Sequence, residues 1–143
     1  MICYFRISAI NTNIADFFIY NKDNMAKYFT EKEFNNCVPS CSLNDMDNDF
    51  IELLDKIRET ANIPLVLNCA YRSVQWDKTK GRSGNSSHCK GKAVDIRCND
   101  STNRYKIIQS AILNGITRIG IGKNFIHLDN DDTLPQNVIW HYY

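Results

Sequence analysis

A glycine that turns the chain from a histidine into an alternating strand is the strongest constraint in this sequence. In Ser86-Ser87-His88-Cys89-Lys90-Gly91-Lys92-Ala93-Val94-Asp95-Ile96, Gly91 permits a sharp turn before a strand expected over 92–97. Side chains alternate along a strand, so Ala93 and Asp95 share one face while Val94 and Ile96 take the other. Phe125-Ile126-His127-Leu128-Asp129 alternates in the same way and places His127 and Asp129 on a common face.

The flanking segments read as helices and short strands. Thr30-Glu31-Lys32-Glu33 has the form of a capping box, with Phe34 carried toward the core and Pro39 closing the element. Met46, Phe50, Leu53, Leu54 and Ile57 recur at helical spacing and predict a helix over 44–61, capped by Ser42 or Asn44 and stopped at Asn62. Leu65–Cys69 reads as a buried strand. Residues 72–87, polar apart from Trp76, read as a long loop of the kind that is usually functional. A second long helix is expected from Ser101 or Thr102, burying Tyr105, Ile108, Ala111 and Ile112 and ending at Gly115. Residues 116–121 and 125–129 resemble a hairpin about Gly122-Lys123-Asn124, and 138–143 a final strand. The expected class is α+β: helices packed against one mostly antiparallel sheet.

At 143 residues the chain fits one domain, and its net charge of +1 gives no broad field for nucleic acid or an anionic membrane. No run of about 18 apolar residues is present, so no membrane span is expected. Arg6 interrupts the apolar Met1–Ile10 stretch, and no basic region or small-residue cleavage site frames it, so no signal peptide is expected. Met25 begins a phrase that reads as a natural start, so residues 1–24 are taken as an extension and 25–143 as the domain. The six cysteines (Cys3, Cys37, Cys41, Cys69, Cys89 and Cys98) form no CxxC pair. Outside a reducing cytosol Cys37 and Cys41 are candidates for a disulfide; the favoured reading is small, partly buried thiols.

Two histidines and a carboxylate make the ligand set of a zinc site that keeps a fourth position open for water. His88, Asp95 and His127 are the candidates. On spacing alone the same residues also read as ordinary surface or hydrogen-bonded histidines and an exposed strand acid. His141, beside aromatic residues in the last strand, reads as a packing or supporting residue rather than a ligand.

Tyr71-Arg72-Ser73 followed by Ser86-x-His88-x-x-Gly91-x-Ala93-x-Asp95-Ile96 resembles the signature of the M15 zinc peptidases, the D-alanyl-D-alanine carboxypeptidases and phage cell-wall endopeptidases. Gly120-Ile121-Gly122 with Phe125–Asp129, and the Trp140-His141-Tyr142 ending, resemble the branch whose second motif ends in His-x-Asp. The resemblance covers residues 29–143.

It implies a fold shared with the amino-terminal domain of hedgehog proteins, with Zn2+ on His88, Asp95 and His127. It implies that Arg72 orients a substrate carboxylate or steadies an oxyanion, for which a planar guanidinium is suited; the alternative is a surface ion pair. Ser86 matches the motif's serine, which either bonds substrate or shapes the turn. The acid that better-studied branches place three residues before the second histidine is here Asn124. Asp129 is then the nearest substitute, as base, as orienter of a ligand, or as a solvated strand-end acid. The implied function is a phage or prophage peptidase cutting peptidoglycan stem peptides as a monomer, made in the bacterial cytoplasm and acting on the wall. The rivals are a non-catalytic zinc-stabilised binding module, with His141 as a fourth ligand, and a virion component of the same fold.

Overall fold

The alternation over 93–97 and 125–129 organises the sheet. A computed structural model describes residues 26–143; the reading of 1–24 as an extension, and Cys3 with it, lies outside them. Strands β2 (Ala93–Arg97) and β4 (Phe125–Asp129) pair antiparallel, setting Asp95 opposite His127 and Val94 opposite Leu128. A tight turn joins β4 to β3 (Arg118–Ile121), the Gly122 N–H donating to the Phe125 carbonyl at 2.9 Å. β1 (Leu67–Cys69) borders β2, and β5 (Val138–His141) borders β3, giving the order β1-β2-β4-β3-β5.

The sheet is mostly antiparallel, as expected, with one parallel pairing, because β5 runs parallel to β3. The cause is local. The end of β4 lies beside the start of β3, Asp129 opposite Arg118, and residues 130–137 only carry the chain around that end to the far side of β3. β5 therefore runs against β4 and with β3.

One face of the sheet is wholly aliphatic. Val94, Ile96, Ile119, Ile126 and Leu128 are at most 1% exposed and form a continuous core with α2 (Asn48–Ala61) and α4 (Ser101–Leu113). Phe50, Ile51, Leu54 and Ile57 of α2 are fully buried there, each such side chain stabilising the fold by roughly 1.5–3 kcal/mol. Asp95, His127, Asp129, Gly120, Arg118 and Trp140 occupy the opposite face by the same alternation.

Several boundaries differ from the expectation. Helix α2 starts at Asn48 because the Asp47 carboxylate accepts the Phe50 N–H at 2.9 Å, and Ser42 instead caps a separate 3-10 turn, Leu43–Asp45. Asn62 does end α2, in the left-handed conformation. The segment 72–87 is not all loop: Ser73 caps α3 (Val74–Thr79) by accepting the Trp76 N–H at 3.1 Å. The first helix, α1 (Glu31–Asn35), forms behind the expected capping box, with Glu33 accepting the Thr30 N–H at 2.8 Å. In α4 the cap is Asp100, and the buried line runs through Ile107, Ser110 and Ala111, leaving Tyr105 64% and Ile112 53% exposed. The described cysteines are all free thiols, Cys37 and Cys41 included. Among the described residues no helix is long and apolar enough to cross a membrane.

Gly91 is needed twice over. Its φ of +68° favours glycine, and a Cβ there would meet the backbone of the α2 entry, 2.5 Å from the Asp45 carbonyl oxygen and 2.8 Å from the Asp47 nitrogen. Gly91→Ala is expected to cost about 2–4 kcal/mol, strain and clash together. Gly81→Ala, with φ +73° but nothing within 4 Å, should cost only about 1 kcal/mol. Denaturant unfolding of the two variants measures the difference.

Candidate metal centre

The turn before β2 and the β2–β4 register bring three polar side chains to one point. Ser87–Lys90 forms a 3-10 helix that carries His88 inward, 3% exposed, and Gly91 ends it in the left-handed conformation. The Arg72 N–H donates to the His88 carbonyl at 3.2 Å, tying this turn to the chain leaving β1. His88 Nε2 lies 3.3 Å from His127 Nδ1 and 3.4 Å from Asp95 Oδ1, and the last two atoms are 2.9 Å apart.

The far nitrogen of each ring is committed elsewhere. His88 Nδ1–H donates to the Ala70 carbonyl at 2.6 Å, leaving Nε2 as the lone pair. His127 Nε2–H donates to Asp129 Oδ2 at 2.9 Å, leaving Nδ1 toward Asp95. Three acceptors thus converge, and only a proton or a metal cation between them relieves their repulsion. Donors at 2.0–2.1 Å from a tetrahedral zinc ion are about 3.3 Å apart, close to the observed triangle. The set of two imidazoles and one carboxylate suits zinc.

Burial disfavours charge on His127, but hydrogen bonds to Asp129 and Asp95 outweigh it and raise its pKa. His88, with less compensation, is lowered by burial. Burial also opposes ionisation of Asp95, yet hydrogen bonds from His127 and His88 hold it well below the usual carboxylate range.

A surrounding ring of groups fixes these side chains. Asp129 is 1% exposed, and its Oδ1 accepts from Arg118 Nε at 2.7 Å and from the Asp131 N–H at 3.1 Å. With Oδ2 on His127, both oxygens are engaged, which is the arrangement of a carboxylate orienting a histidine rather than of a base facing water. Asp131 is itself buried and accepts from Lys90 Nζ at 2.7 Å and Ser87 Oγ at 3.2 Å. Arg118 also donates to the Pro135 carbonyl, fastening the 130–137 connection to the site.

Arg72 is 11% exposed: Nη2 donates to Asp95 Oδ2 at 3.0 Å and Nε to Cys69 Sγ at 3.1 Å, while Nη1 lies 3.7 Å from Asp77 Oδ1 without a hydrogen bond. It ties Asp95 to the end of β1 and also lines the cleft. Ser86 shapes the turn: its carbonyl accepts the Cys89 N–H at 2.9 Å and its hydroxyl lies 3.4 Å from Cys89 Sγ. Asn124 is exposed in the β3–β4 turn and accepts the Cys98 N–H at 2.9 Å through its carbonyl. His141 is exposed and stacks near Tyr143, so it is not a fourth ligand.

Trp140 and Tyr142 stand in its place, as strand alternation would have indicated, with ring centroids 5.5 and 6.4 Å from His127. Gly120 makes room for them; a Cβ there would lie 2.7 Å from Tyr142 and 2.8 Å from Trp140. Cys69 was not anticipated either. Its donor atom falls within 4.8 Å of those of His88 and Asp95, but Sγ lies 3.9 Å from His88 Nδ1, the nitrogen already used by Ala70. Burial raises its thiol to about 11. Cys69 therefore packs behind the ring. The centre opens into a cleft of about 500 Å³ walled by Arg82, Phe125, Leu134, Trp140 and Tyr142.

A family model described as Peptidase M15 matches residues 27–129. No curated protein matches the chain.

Asp131 gives a pH signature. Burial opposes its charge, but hydrogen bonds from Lys90 and Thr133 win and depress its pKa from 3.8 to about 2. A carboxyl lowered in the folded state contributes stability that is present above its unfolded value and lost as pH falls toward its folded one. Melting temperature should therefore drop between pH 4 and 2, and Asp131→Asn should be less stable at neutral pH with a shallower drop. Thermal melts across that range check both.

Proposed function

The chain belongs to the M15 peptidase family, and on that premise we propose that it is a zinc-dependent peptidase acting on peptidoglycan stem peptides. The observation that carries this reading is the convergence of His88 Nε2, Asp95 Oδ1 and His127 Nδ1 within 3.4 Å of one another at the floor of an open cleft. Zinc held by these three supplies a Lewis acid that polarises a scissile carbonyl and lowers the pKa of water.

The chain's own residues do the rest. Asp129 keeps the proton on His127 Nε2 and makes Nδ1 the stronger donor to a metal. Arg72 holds Asp95 by one oxygen, turning the other toward the histidines, and its charge near the cleft floor favours negative charge developing on a carbonyl oxygen. Trp140 and Tyr142 supply an apolar wall for a peptide. The position of His141 away from the centre supports an open coordination site rather than four protein ligands. The enzyme acts on the bacterial wall after synthesis in the cytoplasm, as a monomeric phage or prophage lysis protein.

One observation favours the second reading, a zinc-stabilised binding module. The acids lining the cleft are Asp95 and Asp129, both already engaged, so among the described residues no uncommitted cleft carboxylate takes a proton from water.

Zinc should raise the melting temperature of the wild-type protein and not that of His88→Ala, because a ligand of the folded state alone stabilises it. Asp129→Asn should lower zinc affinity roughly 10–100-fold, measured by competition with a chromophoric chelator. Mass spectrometry of digested peptidoglycan should show clipped stem peptides with wild type and none with His88→Ala. If zinc-loaded wild type leaves every stem peptide intact, the peptidase reading fails and the module stands.

A further inference from the structure

Cys37 and Cys41 take no part in the metal centre, yet the turn after α1 folds them together. Both backbone N–H groups donate to the Phe34 carbonyl, at 3.0 and 3.3 Å. Their thiols reach neighbouring carbonyls of the same helix end, Cys37 Sγ donating to Glu33 at 3.5 Å and Cys41 Sγ to Phe34 at 3.7 Å. Both residues are buried, beneath a turn whose Val38 is 73% exposed. Two free thiols thus meet within one short surface turn.

The pair is unequal. Hydrogen bonds from the Cys37 thiol and the Tyr71 N–H favour a thiolate at Cys41 and lower its pKa, although burial opposes them. The same contact, with burial, raises the Cys37 thiol. Cys41 is therefore the nucleophile and Cys37 the thiol that follows it. Cys69 is engaged elsewhere, its Sγ accepting from Arg72 Nε at 3.1 Å. The turn also backs the metal centre. The Val38 N–H donates to the Asn68 carbonyl at 2.9 Å, and Cys41 faces Tyr71. From the other side of this segment the Ala70 carbonyl holds His88 Nδ1, and the Arg72 N–H holds the His88 carbonyl.

We propose that Cys37 and Cys41 form a reversible disulfide when the chain meets a peroxide, stapling this turn against the segment that orients His88. The Cys41 thiolate attacks one peroxide oxygen, the O–O bond breaks, and the departing hydroxide takes up the proton that Cys41 shed. Cys37 then attacks the sulfur of the Cys41 sulfenic acid. The S–S bond forms, the S–O bond breaks, and hydroxide leaves with the Cys37 proton as water. The two thiols together lose two electrons, and one peroxide is reduced to two waters.

The test treats the reduced full chain with hydrogen peroxide, alkylates it in denaturant and maps its peptides by mass spectrometry. Trypsin releases residues 33–56 as one peptide carrying both cysteines. After oxidation that peptide should lack both alkyl groups and two hydrogens, and dithiothreitol should restore both sites. The oxidised chain should melt about 5 °C higher, the effect of closing a short loop. Cys37→Ala should leave Cys41 as a sulfenic acid that dimedone traps, whereas Cys41→Ala should give no adduct at Cys37. A peptide 33–56 that stays doubly alkylated while the more exposed Cys89 oxidises would overturn the proposal. So would a bridge from either cysteine to Cys69, or an oxidised chain that melts no higher. Mapping of the wild type decides the matter even where a variant fails to fold.

Discussion

Everything at the centre depends on the register that sets Asp95 of β2 opposite His127 of β4. A slip of one residue would turn each strand over, sending Val94 and Leu128 into the cleft and Asp95 and His127 into the core. The aliphatic face guards against this. Burying Val94, Ile96, Ile126 and Leu128 against the helices is worth several kcal/mol, and a slipped sheet would lose that while desolvating two charged groups. The hydrophobic core thereby fixes the spacing of the polar centre on the other side of the same strands.

The second constraint is that the buried polar groups lie in linked pairs. Asp129 is tolerated at 1% exposure because His127, Arg118 and the Asp131 amide all reach it, and an isolated carboxylate at that depth would cost several kcal/mol. Asp131 then binds Lys90 and Ser87 from the turn that carries His88. This chain of contacts joins the 130–137 connection to the 3-10 turn and so positions both histidines from outside. It also accounts for the parallel strand: Arg118 holds the connection at Pro135, and the chain reaches β3's free edge already pointing along it.

Much of this was legible in the residues. Alternation alone placed Asp95 and His127 on the faces they occupy, and the Gly122-Lys123-Asn124 turn and the stop at Asn62 stand where expected. The misses share a cause: they turn on which competing group wins in three dimensions. Ser42, Asn44 and Asp47 are all able to cap, and it is Asp47, whose N–H donates to the Gly91 carbonyl at 3.1 Å, that caps α2. Of the expected α4 stripe Ala111 is buried and Ile108 packs partly against the core, whereas the helix turns Ile107 and small Ser110 inward and leaves Tyr105 and Ile112 exposed. The exchange of His141 for Trp140 and Tyr142 was within reach of alternation, since Trp140 lies across Gly120 from His127. What no local pattern conveys is that Arg72, an arginine in the right motif, would also be tied to Asp95 and Cys69.

The centre is built to hold one positive charge among three acceptors. The His127 imidazole, with Asp129 on one nitrogen and Asp95 facing the other, retains a proton more firmly than an exposed histidine would. A divalent cation in the same triangle would displace that proton and keep the same partners, because Ala70 and Asp129 fix both rings from behind. Binding then requires little rearrangement, and the geometry is set by the fold rather than by the metal. Turnover is a separate demand. A base must be free to accept a proton when water is activated, and the carboxylates nearest the centre are consumed in holding it together. The same saturation that makes the site rigid leaves, among the described residues, no uncommitted carboxylate in the cleft for that step.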